Sequence, residues 1–237
     1  MISKSLIRKL YSKAEQMFPP IKILKRIYAK FRYPVEPKRY QYLFDIIRKN
    51  KCKKIMEIGT YDGKRALQMI KSAQKHYNSE EIEYYGFDLF DMMNGKIFEK
   101  EVSKKPPSLE EVRNKLKNTG SKIYLFRGFT KDTIPRAESS LPKMNLVFID
   151  GGHSIETIKN DWYYTQKLMG KHTVVIFDDY WSGDWANRKD AGCRDLIKNI
   201  DETKFDVKIL PIQDKFKKNW GVLKINFVKV QRRVSVM

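Results

Sequence analysis

Three aspartates at the ends of apolar runs are the residues of this chain best suited to chemistry. Asp150 follows the run 144–149, and Asp178 and Asp179 follow the run 173–177. In a parallel α/β sheet such runs form strands buried on both faces, and ligands bind at their carboxyl ends. Three carboxylates at one edge raise one another's pKa and need a compensating charge. Because Mg²⁺ prefers carboxylate oxygens, these three aspartates are predicted metal ligands.

His153 lies three residues after Asp150, in the loop beside the predicted carboxylates. An imidazole with a pKa near neutrality can take a proton from a reacting group, so His153 is the predicted catalytic base. The structural alternative is a hydrogen bond at the entrance of the following helix. The aspartates have an alternative too, since they can cap helices or bind loop amides.

A glycine-containing turn is the second candidate site. Residues 56–63 join the first predicted strand to its helix, and they contain Gly59 and Gly63. Glycines let the backbone approach a ligand closely, and the helix N-terminus adds amide donors. The dinucleotide fingerprint G-x-G-x-x-G is absent, because Tyr61 stands where its second glycine would be. A purely structural turn is the alternative.

Strand and helix patterns alternate through most of the chain and predict one doubly wound α/β domain. Ser108 and Glu111 have the capping-box spacing at the start of one helix. Strands are predicted at residues 54–58, 82–87, 123–126, 144–149 and 173–177, and helices at 39–49, 64–76, 108–118, 155–168 and 191–200. Residues 205–210 and 220–228 are predicted to close the sheet as an antiparallel pair. We place this domain at residues 38–230 and a tail at 231–237.

Residues 1–37 are predicted to form a basic helical extension. Apolar residues recur there at helical spacing, with lysines and arginines largely off the apolar stripe. Such a helix can lie on an anionic membrane, so residues 1–33 are a candidate for peripheral contact with the inner face of a membrane. The alternative is a pair of helices that cover the core or a partner subunit, which would suit a homo-oligomer.

The composition fits a globular protein with a basic surface. Hydrophobic residues make up 41% of the 237 residues, and the formal net charge is +20. That charge attracts nucleic acid, an anionic membrane or a phosphorylated substrate, although a Lys-rich genome would also produce it. Only Cys52 and Cys193 are available, too few for a disulfide framework, and no apolar run is long enough to span a bilayer. We therefore expect a cytoplasmic protein.

Four motifs in the same order carry a family resemblance that covers about residues 40–228: residues 57–63, Asp88, residues 128–130, and Asp150 with Asp178 and Asp179. Glu-Ile-Gly-Thr-Tyr-Asp-Gly at residues 57–63 resembles motif I of class I S-adenosylmethionine-dependent methyltransferases, above all the catechol and caffeoyl type. Phe-Ile-Asp-Gly-Gly-His at residues 148–153 resembles the macrocin-type sugar O-methyltransferases, whose histidine is the proposed base. The chain departs from the family pattern at 178–179, where both residues are Asp, and residues 90–107 are hard to align.

The resemblance implies a fold and a cofactor. The fold is Rossmann-like and doubly wound, with a mainly parallel seven-stranded sheet, an antiparallel C-terminal strand and additional N-terminal helices. The cofactors are S-adenosyl-L-methionine and a divalent cation, Mg²⁺; Asp88 matches the ribose ligand and residues 128–130 the adenine loop. The implied cofactor-binding residues are Glu57, Gly59, Thr60, Tyr61, Asp62, Gly63, Asp88, Leu89, Gly128, Phe129, Thr130 and Asp150.

The function expected from these observations is metal-assisted O-methyl transfer to a hydroxyl of a small molecule or glycan. A cation on the hydroxyl oxygen would lower its pKa, and His153 would take the proton. The basic charge favours one alternative, an RNA- or nucleotide-directed methyltransferase. A second alternative is a non-catalytic module that binds a membrane or a partner through residues 1–40.

Overall fold

A computed structural model of the chain describes residues 37–101, 106–184, 191–218 and 221–233, with side chains except at 98–100 and 218. The predicted N-terminal helices and membrane-contact segment lie outside the described residues. Residues Arg39–Met237 belong to one compact unit. Among the described residues, no helix is both long enough and apolar enough to cross a membrane.

Helices and strands alternate along the described chain. The helices are α1 Tyr40–Lys49, α2 Lys64–Ala73, α3 Gly95–Glu101, α4 Leu109–Lys117, α5 Thr130–Ala137, α6 Ile155–Leu168 and α7 Arg194–Lys198. The strands are β1 Lys54–Ile58, β2 Glu83–Asp88, β3 Lys122–Arg127, β4 Met144–Ile149, β5 Met169–Gly183, β6 Phe205–Lys218 and β7 Gly221–Arg232.

The strands form one seven-stranded sheet in the order β3-β2-β1-β4-β5-β7-β6. Strands β1 to β5 pair in parallel, and β7 runs antiparallel to both β5 and β6. The strand order reverses between β1 and β4, and ligands of doubly wound folds bind at such a point. The predicted Rossmann-like, mainly parallel sheet with an antiparallel C-terminal strand is confirmed.

The central strands β1 and β4 are buried on both faces, as their mostly apolar sequences predict. Ile55 on β1 packs into one apolar cluster, together with Leu43 of α1. Its neighbours Met56 and Ile58 pack into a second cluster, together with Trp162 of α6. Two helical layers therefore hold β1 and β4 rigidly, and the loops that follow these strands start from fixed positions.

Local sequence signals explain several boundaries. Ser108 caps α4 in a capping box with Glu111, as predicted. The predicted strands 54–58 and 144–149 and the helix 155–168 have the observed bounds. Helix α2 ends at Ala73 rather than 76, and β7 continues to Arg232, two residues into the predicted tail.

Two helices and the full length of two strands were not predicted from the sequence. Helix α3 lies in the polar segment 90–107, and α5 contains Pro135. Strand β5 continues to Gly183 because residues 180–183 pair with β7 beyond a register shift. Strand β6 likewise extends from the predicted 205–210 to Lys218. Ladder hydrogen bonds with a distant strand, rather than local pattern, determine these extensions.

The loop after β1 contacts the loop after β4 so closely that only glycine fits. Gly59 has φ 93°, and a Cβ at this position would lie 2.0 Å from the carbonyl oxygen of Asp150. A clash with backbone cannot be relieved by a change of rotamer. The turn after β1 therefore depends on Gly59.

Replacing Gly59 should destabilise the fold. We expect Gly59→Ala to lower the free energy of unfolding by about 3 kcal/mol, from left-handed strain plus overpacking. The matched control is Gly95→Ala at the start of α3, where a Cβ would meet nothing within 4 Å. Thermal denaturation of both variants measures the difference. Equal melting temperatures would contradict the described packing.

Candidate active site

A cavity of about 310 Å³ opens at the carboxyl ends of β1, β2, β4 and β5. Its size suits a small-molecule ligand. The structure brings eleven of the predicted site residues to its wall: Gly59, Tyr61, Asp88, Leu89, Gly128, Phe129, Thr130, Asp150, His153, Asp178 and Asp179. The two candidate sites predicted from the sequence are thus parts of one site. They are the glycine turn at residues 56–63 and the acidic edge, which consists of Asp150, Asp178 and Asp179.

Asp88 ties the loop after β1 to the loop after β2. Its Oδ2 accepts a hydrogen bond from the Tyr61 amide at 2.7 Å, and its Oδ1 accepts one from the Phe90 amide at 3.0 Å. Burial raises the pKa of Asp88, and these amide hydrogen bonds oppose the shift. The carboxylate is held in a fixed position on the cavity wall, where the predicted ribose contact requires it.

Glu57 and Thr60 lie behind the wall rather than on it. Glu57 is fully buried in β1 and accepts a hydrogen bond from the Tyr84 hydroxyl on β2, which lies 3.3 Å from Thr60 Oγ1. Burial raises the pKa of Glu57 to about 8, although the Tyr84 hydrogen bond opposes the shift. In the structure these two residues support the turn from behind the cavity wall. A cofactor contact for them stays a prediction.

Asp62 and Gly63 face away from the cavity. The Asp62 carboxylate lies 3.3 Å from Lys115 Nζ on α4. Gly63 is the residue before α2, with φ 69°, and a Cβ there would lie 3.0 Å from Val112. Both residues join the turn to the helical layer, and neither lines the cavity described above.

The compensating charge at the acidic edge is Arg39. Its Nε and Nη2 bind the two oxygens of Asp178 at 2.9 and 2.7 Å, and its Nη1 lies 3.1 Å from Asp214 Oδ2. Arg39 and Asp178 are only 5% and 3% exposed. Burial alone would lower the pKa of Arg39, but the Asp178 charge and hydrogen bonds raise it. The guanidinium is therefore a permanent cation inside the site.

Tyr40 connects Asp178 to Asp150. Its hydroxyl lies 3.1 Å from Asp178 Oδ2 and 3.3 Å from Asp150 Oδ2, so its one proton serves either carboxylate. Burial, together with the charges of Asp178 and Asp179, raises the pKa of Asp150 well above its usual value. Asp150 is therefore the member of the acidic group that most readily carries a proton.

His153 donates from both ring nitrogens. Its Nε2 lies 2.8 Å from Asp179 Oδ2, and its Nδ1 lies 2.7 Å from the carbonyl oxygen of Glu101. Both oxygens only accept, so the ring in this arrangement is a protonated imidazolium. Burial lowers the pKa of His153, but Asp179 and Glu101 outweigh it and raise the pKa to about 10. A ring bound in this way has no free lone pair for a base.

Both oxygens of Asp179 accept hydrogen bonds from protein donors. Besides His153 Nε2, its Oδ1 accepts a hydrogen bond from Trp181 Nε1 at 2.9 Å. Burial would raise the pKa of Asp179, but the charge and hydrogen bond of His153 lower it. The carboxylate is thus ionised, and its φ of 58° places it in a left-handed conformation that the surrounding contacts maintain.

This donor set does not fit a divalent cation. Arg39 occupies both oxygens of Asp178, and His153 with Trp181 occupies both oxygens of Asp179. Within residues 37–101, 106–184, 191–218 and 221–233, no group of three or more His, Cys, Asp and Glu side chains is arranged to hold a metal ion. The metal site predicted at Asp150, Asp178 and Asp179 stays a prediction without support from this geometry.

The capping alternative for Asp150 is not realised, because Ser154 caps α6 and accepts a hydrogen bond from the Thr157 amide. The carboxylate of Glu101 binds the Ser154 amide at 3.1 Å, which fixes the start of α6 next to Gly152. A Cβ at Gly152 would lie 2.4 Å from Glu101 Oε2, so the second glycine of the motif makes room for this carboxylate.

Sequence reasoning missed several wall residues. The sequence predicts Arg39 and Tyr40 only as the start of the helix 39–49. Glu101 lies in the segment 90–107, which is hard to align with the family, yet all three residues line the cavity. Asp161 lies inside the predicted helix 155–168. The local sequence gave no signal for Arg39, whose partner Asp178 is 139 residues away. For Asp161, a carboxylate in the mostly apolar stripe of α6 was the available signal.

The residues present fit S-adenosylmethionine. The cavity combines a backbone turn that only glycine allows, a fixed carboxylate at the end of β2, and a buried carboxylate oxygen of Asp161 without a hydrogen-bond partner among the described residues. A ligand with hydroxyl and amino donors satisfies such acceptors.

Comparison with solved structures finds the same fold in methyltransferases. The O-methyltransferase from Bacillus cereus, in complex with SAH, is 15% identical, with a TM-score of 0.58 over 90% of this chain and 89% of that one. TomG from Streptomyces achromogenes, an O-methyltransferase in complex with SAM, is 14% identical, with a TM-score of 0.57 over 84% and 82%. An rRNA methylase from Streptococcus thermophilus is 9% identical, with a TM-score of 0.56 over 85% and 100%.

Sequence comparison gives the family. No curated protein matches the chain. A family model described as a methyltransferase domain matches residues 56–180, from β1 to the end of the acidic edge. This range contains the glycine turn, Asp88 and all three aspartates of the acidic edge. The chain therefore belongs to the family of S-adenosylmethionine-dependent methyltransferases that this domain defines.

Proposed function

We propose that this protein is an O-methyltransferase that acts on a hydroxyl group of a small molecule or glycan. The observation that carries the proposal is the position of Asp150, His153 and Asp179 on the wall that also contains Gly59 and Asp88. An acceptor hydroxyl bound at this acidic edge would therefore lie beside the cofactor site, with proton-accepting and charge-stabilising groups around it.

The chain's main contribution is alignment. When bound, S-adenosylmethionine supplies an electrophilic methyl group. Gly59 and Asp88 hold one partner at the ends of β1 and β2, and the acidic edge holds the other at the ends of β4 and β5. Fixed orientation of two reactants is the largest effect that a protein can bring to such a displacement.

The proton of the hydroxyl needs an acceptor. Because His153 already donates from both nitrogens, the geometry favours Asp150 as the group that takes the proton, since its raised pKa makes its ionised carboxylate the stronger base. The imidazolium of His153 then stabilises the negative charge that develops on the oxygen. The base role predicted for His153 would require the ring to give up its bond to Asp179.

The experiment that tests the function is a methyl-transfer assay with S-adenosylmethionine labelled in the methyl group. Pools of small hydroxylated compounds, oligosaccharides and total RNA are supplied separately. We expect alkali-stable label in a hydroxyl compound or a glycan. Label in RNA alone would favour the RNA-directed alternative, which the charge of +20 suggests. Absence of S-adenosylhomocysteine binding in calorimetry would favour the non-catalytic alternative.

Substitution of His153 should separate catalysis from cofactor binding. We expect His153→Gln to lower kcat by about 10²–10³-fold, the range for the loss of one charge-stabilising donor, and to change the Kd for S-adenosylhomocysteine by less than about threefold. His172→Gln is the matched control, because His172 is exposed on β5 and lies outside the cavity wall. A parallel loss of cofactor affinity in His153→Gln would assign the residue to the cofactor instead.

The divalent cation can be tested directly. Since protein donors occupy the oxygens of Asp178 and Asp179, we expect EDTA to leave kcat within about twofold and Mn²⁺ to show no saturable binding by electron paramagnetic resonance. Activity that EDTA abolishes and Mg²⁺ restores would instead support the metal-assisted reaction, with Arg39 displaced from Asp178 in the working enzyme.

A further inference from the structure

The side chain of Glu101 ties the segment after β2 to the start of α6. Glu101 is the last residue of α3, is 7% exposed and lines the cavity. Its Oε2 accepts a hydrogen bond from the Ser154 amide at 3.1 Å, and its Oε1 accepts bonds from the hydroxyls of Ser154 and Thr157, both at 3.1 Å. Three donors therefore fix one buried carboxylate, at a helix end that favours negative charge.

The backbone of the same residue holds the ring of His153. The carbonyl oxygen of Glu101 accepts a hydrogen bond from His153 Nδ1 at 2.7 Å and another from the His153 amide at 3.4 Å. Because the carboxylate anchors Glu101, its carbonyl cannot move away from the ring without breaking buried hydrogen bonds. The side chain of Glu101 and the ring of His153 are thus coupled through one short stretch of backbone.

Gly152 leaves the space that the carboxylate occupies. A Cβ at Gly152 would lie 2.4 Å from Glu101 Oε2. This oxygen ends a flexible side chain, so a larger residue at position 152 would displace the carboxylate rather than the backbone. The φ of Gly152 is outside the left-handed region, so the site requires the small size of glycine here and not its backbone freedom.

We propose that Glu101 is a positioning residue for His153. Its carboxylate, bound to the start of α6, holds its own carbonyl against His153 Nδ1 and thereby directs Nε2 at Asp179. The inference rests on the proposed function, in which His153 stabilises developing charge, and it adds the residue that orients the ring. A donor of this kind is effective only when its direction is fixed before the reaction.

The orientation of the ring can be measured by nuclear magnetic resonance on the full-length chain labelled with ¹⁵N-histidine. A ring proton that is hydrogen-bonded to a buried carbonyl exchanges slowly with water, so we expect a resolved Nδ1–H resonance that His153→Gln lacks. Glu101→Ala should lose this resonance at the same pH. Its absence from the wild-type chain, or its retention in Glu101→Ala, would overturn the proposal.

Glu111→Ala is the matched control. The Glu111 carboxylate likewise accepts hydrogen bonds from an amide and a hydroxyl at the start of a helix, both from Ser108, but it lies outside the cavity wall. This variant should keep the Nδ1–H resonance of His153. Loss of the resonance in Glu111→Ala as well would show that any weakened helix start releases the ring, and would overturn the specific role of Glu101.

Glu101→Gln separates the position of the side chain from its charge. Glutamine can accept from the Ser154 amide and donate to the two hydroxyls, whose oxygens also accept. With the acceptor that the methyl-transfer assay identifies, we expect Glu101→Ala to lower kcat by about 10–100-fold and Glu101→Gln by less than about threefold. Both should leave the KM for the acceptor and the Kd for S-adenosylhomocysteine within about threefold of wild type. Equal losses of kcat in the two variants, or a loss confined to KM, would overturn the proposal.

Gly152→Ala tests the same coupling without removing the carboxylate. The added methyl group should displace the Glu101 side chain and abolish the Nδ1–H resonance. In the double variant with Glu101→Ala the methyl group has no carboxylate to displace, so its kcat should equal that of Glu101→Ala alone. A retained resonance in Gly152→Ala, or additive losses of kcat, would overturn the proposal.

The resonance comparison uses no acceptor. It therefore decides the orientation of His153 even if every acceptor fails in the methyl-transfer assay and the proposed function falls. If thermal denaturation shows that Glu101→Ala does not fold, the resonance of Gly152→Ala decides.

Discussion

The buried guanidinium of Arg39 is the interaction on which the acidic edge depends. Asp150, Asp178 and Asp179 converge at neighbouring strand ends, and their mutual repulsion would oppose folding without a nearby positive charge. Arg39 supplies that charge from the start of α1 through a bidentate contact with Asp178 and a further contact with Asp214 of β6. Removing one partner of a buried ion pair lowers the free energy of unfolding by about 3–5 kcal/mol. The contacts of Arg39 therefore couple the start of α1 strongly to the edge of the sheet.

The sequence predicted the framework of the site because local patterns determine it. A short apolar run bounded by turn residues, such as β4, is typical of a strand buried on both faces, and the residues that follow parallel strands lie at one edge of the sheet. The convergence of Asp150 with Asp178 and Asp179 followed from this rule. The need for a compensating cation was also predictable, but its identity was not, since Arg39 lies far from Asp178 in sequence.

The remaining differences come from long-range contacts in the same way. Residues 180–183 look like a loop, yet they continue β5 because β7 offers a paired edge. The role of His153 depends on Glu101, which the sequence places in a polar segment without a clear pattern. A histidine that follows a carboxylate in sequence is easily interpreted as a catalytic base. The second acceptor, the backbone carbonyl of Glu101, shows that both ring nitrogens of His153 donate hydrogen bonds.

The charge of the cavity differs in sign from that of the whole chain. The chain carries +20, whereas the described wall contains Asp88, Asp150, Asp161, Asp178, Asp179 and Glu101 against Arg39 and His153. Such a wall attracts the sulfonium and ammonium groups of S-adenosylmethionine and repels phosphate. The net charge of +20 is therefore not a property of the cavity, and the acidic wall supports the proposed neutral acceptor inside it. A hydroxyl of an uncharged sugar or small molecule meets that condition, and a phosphorylated acceptor would have to place its phosphate away from the acidic edge.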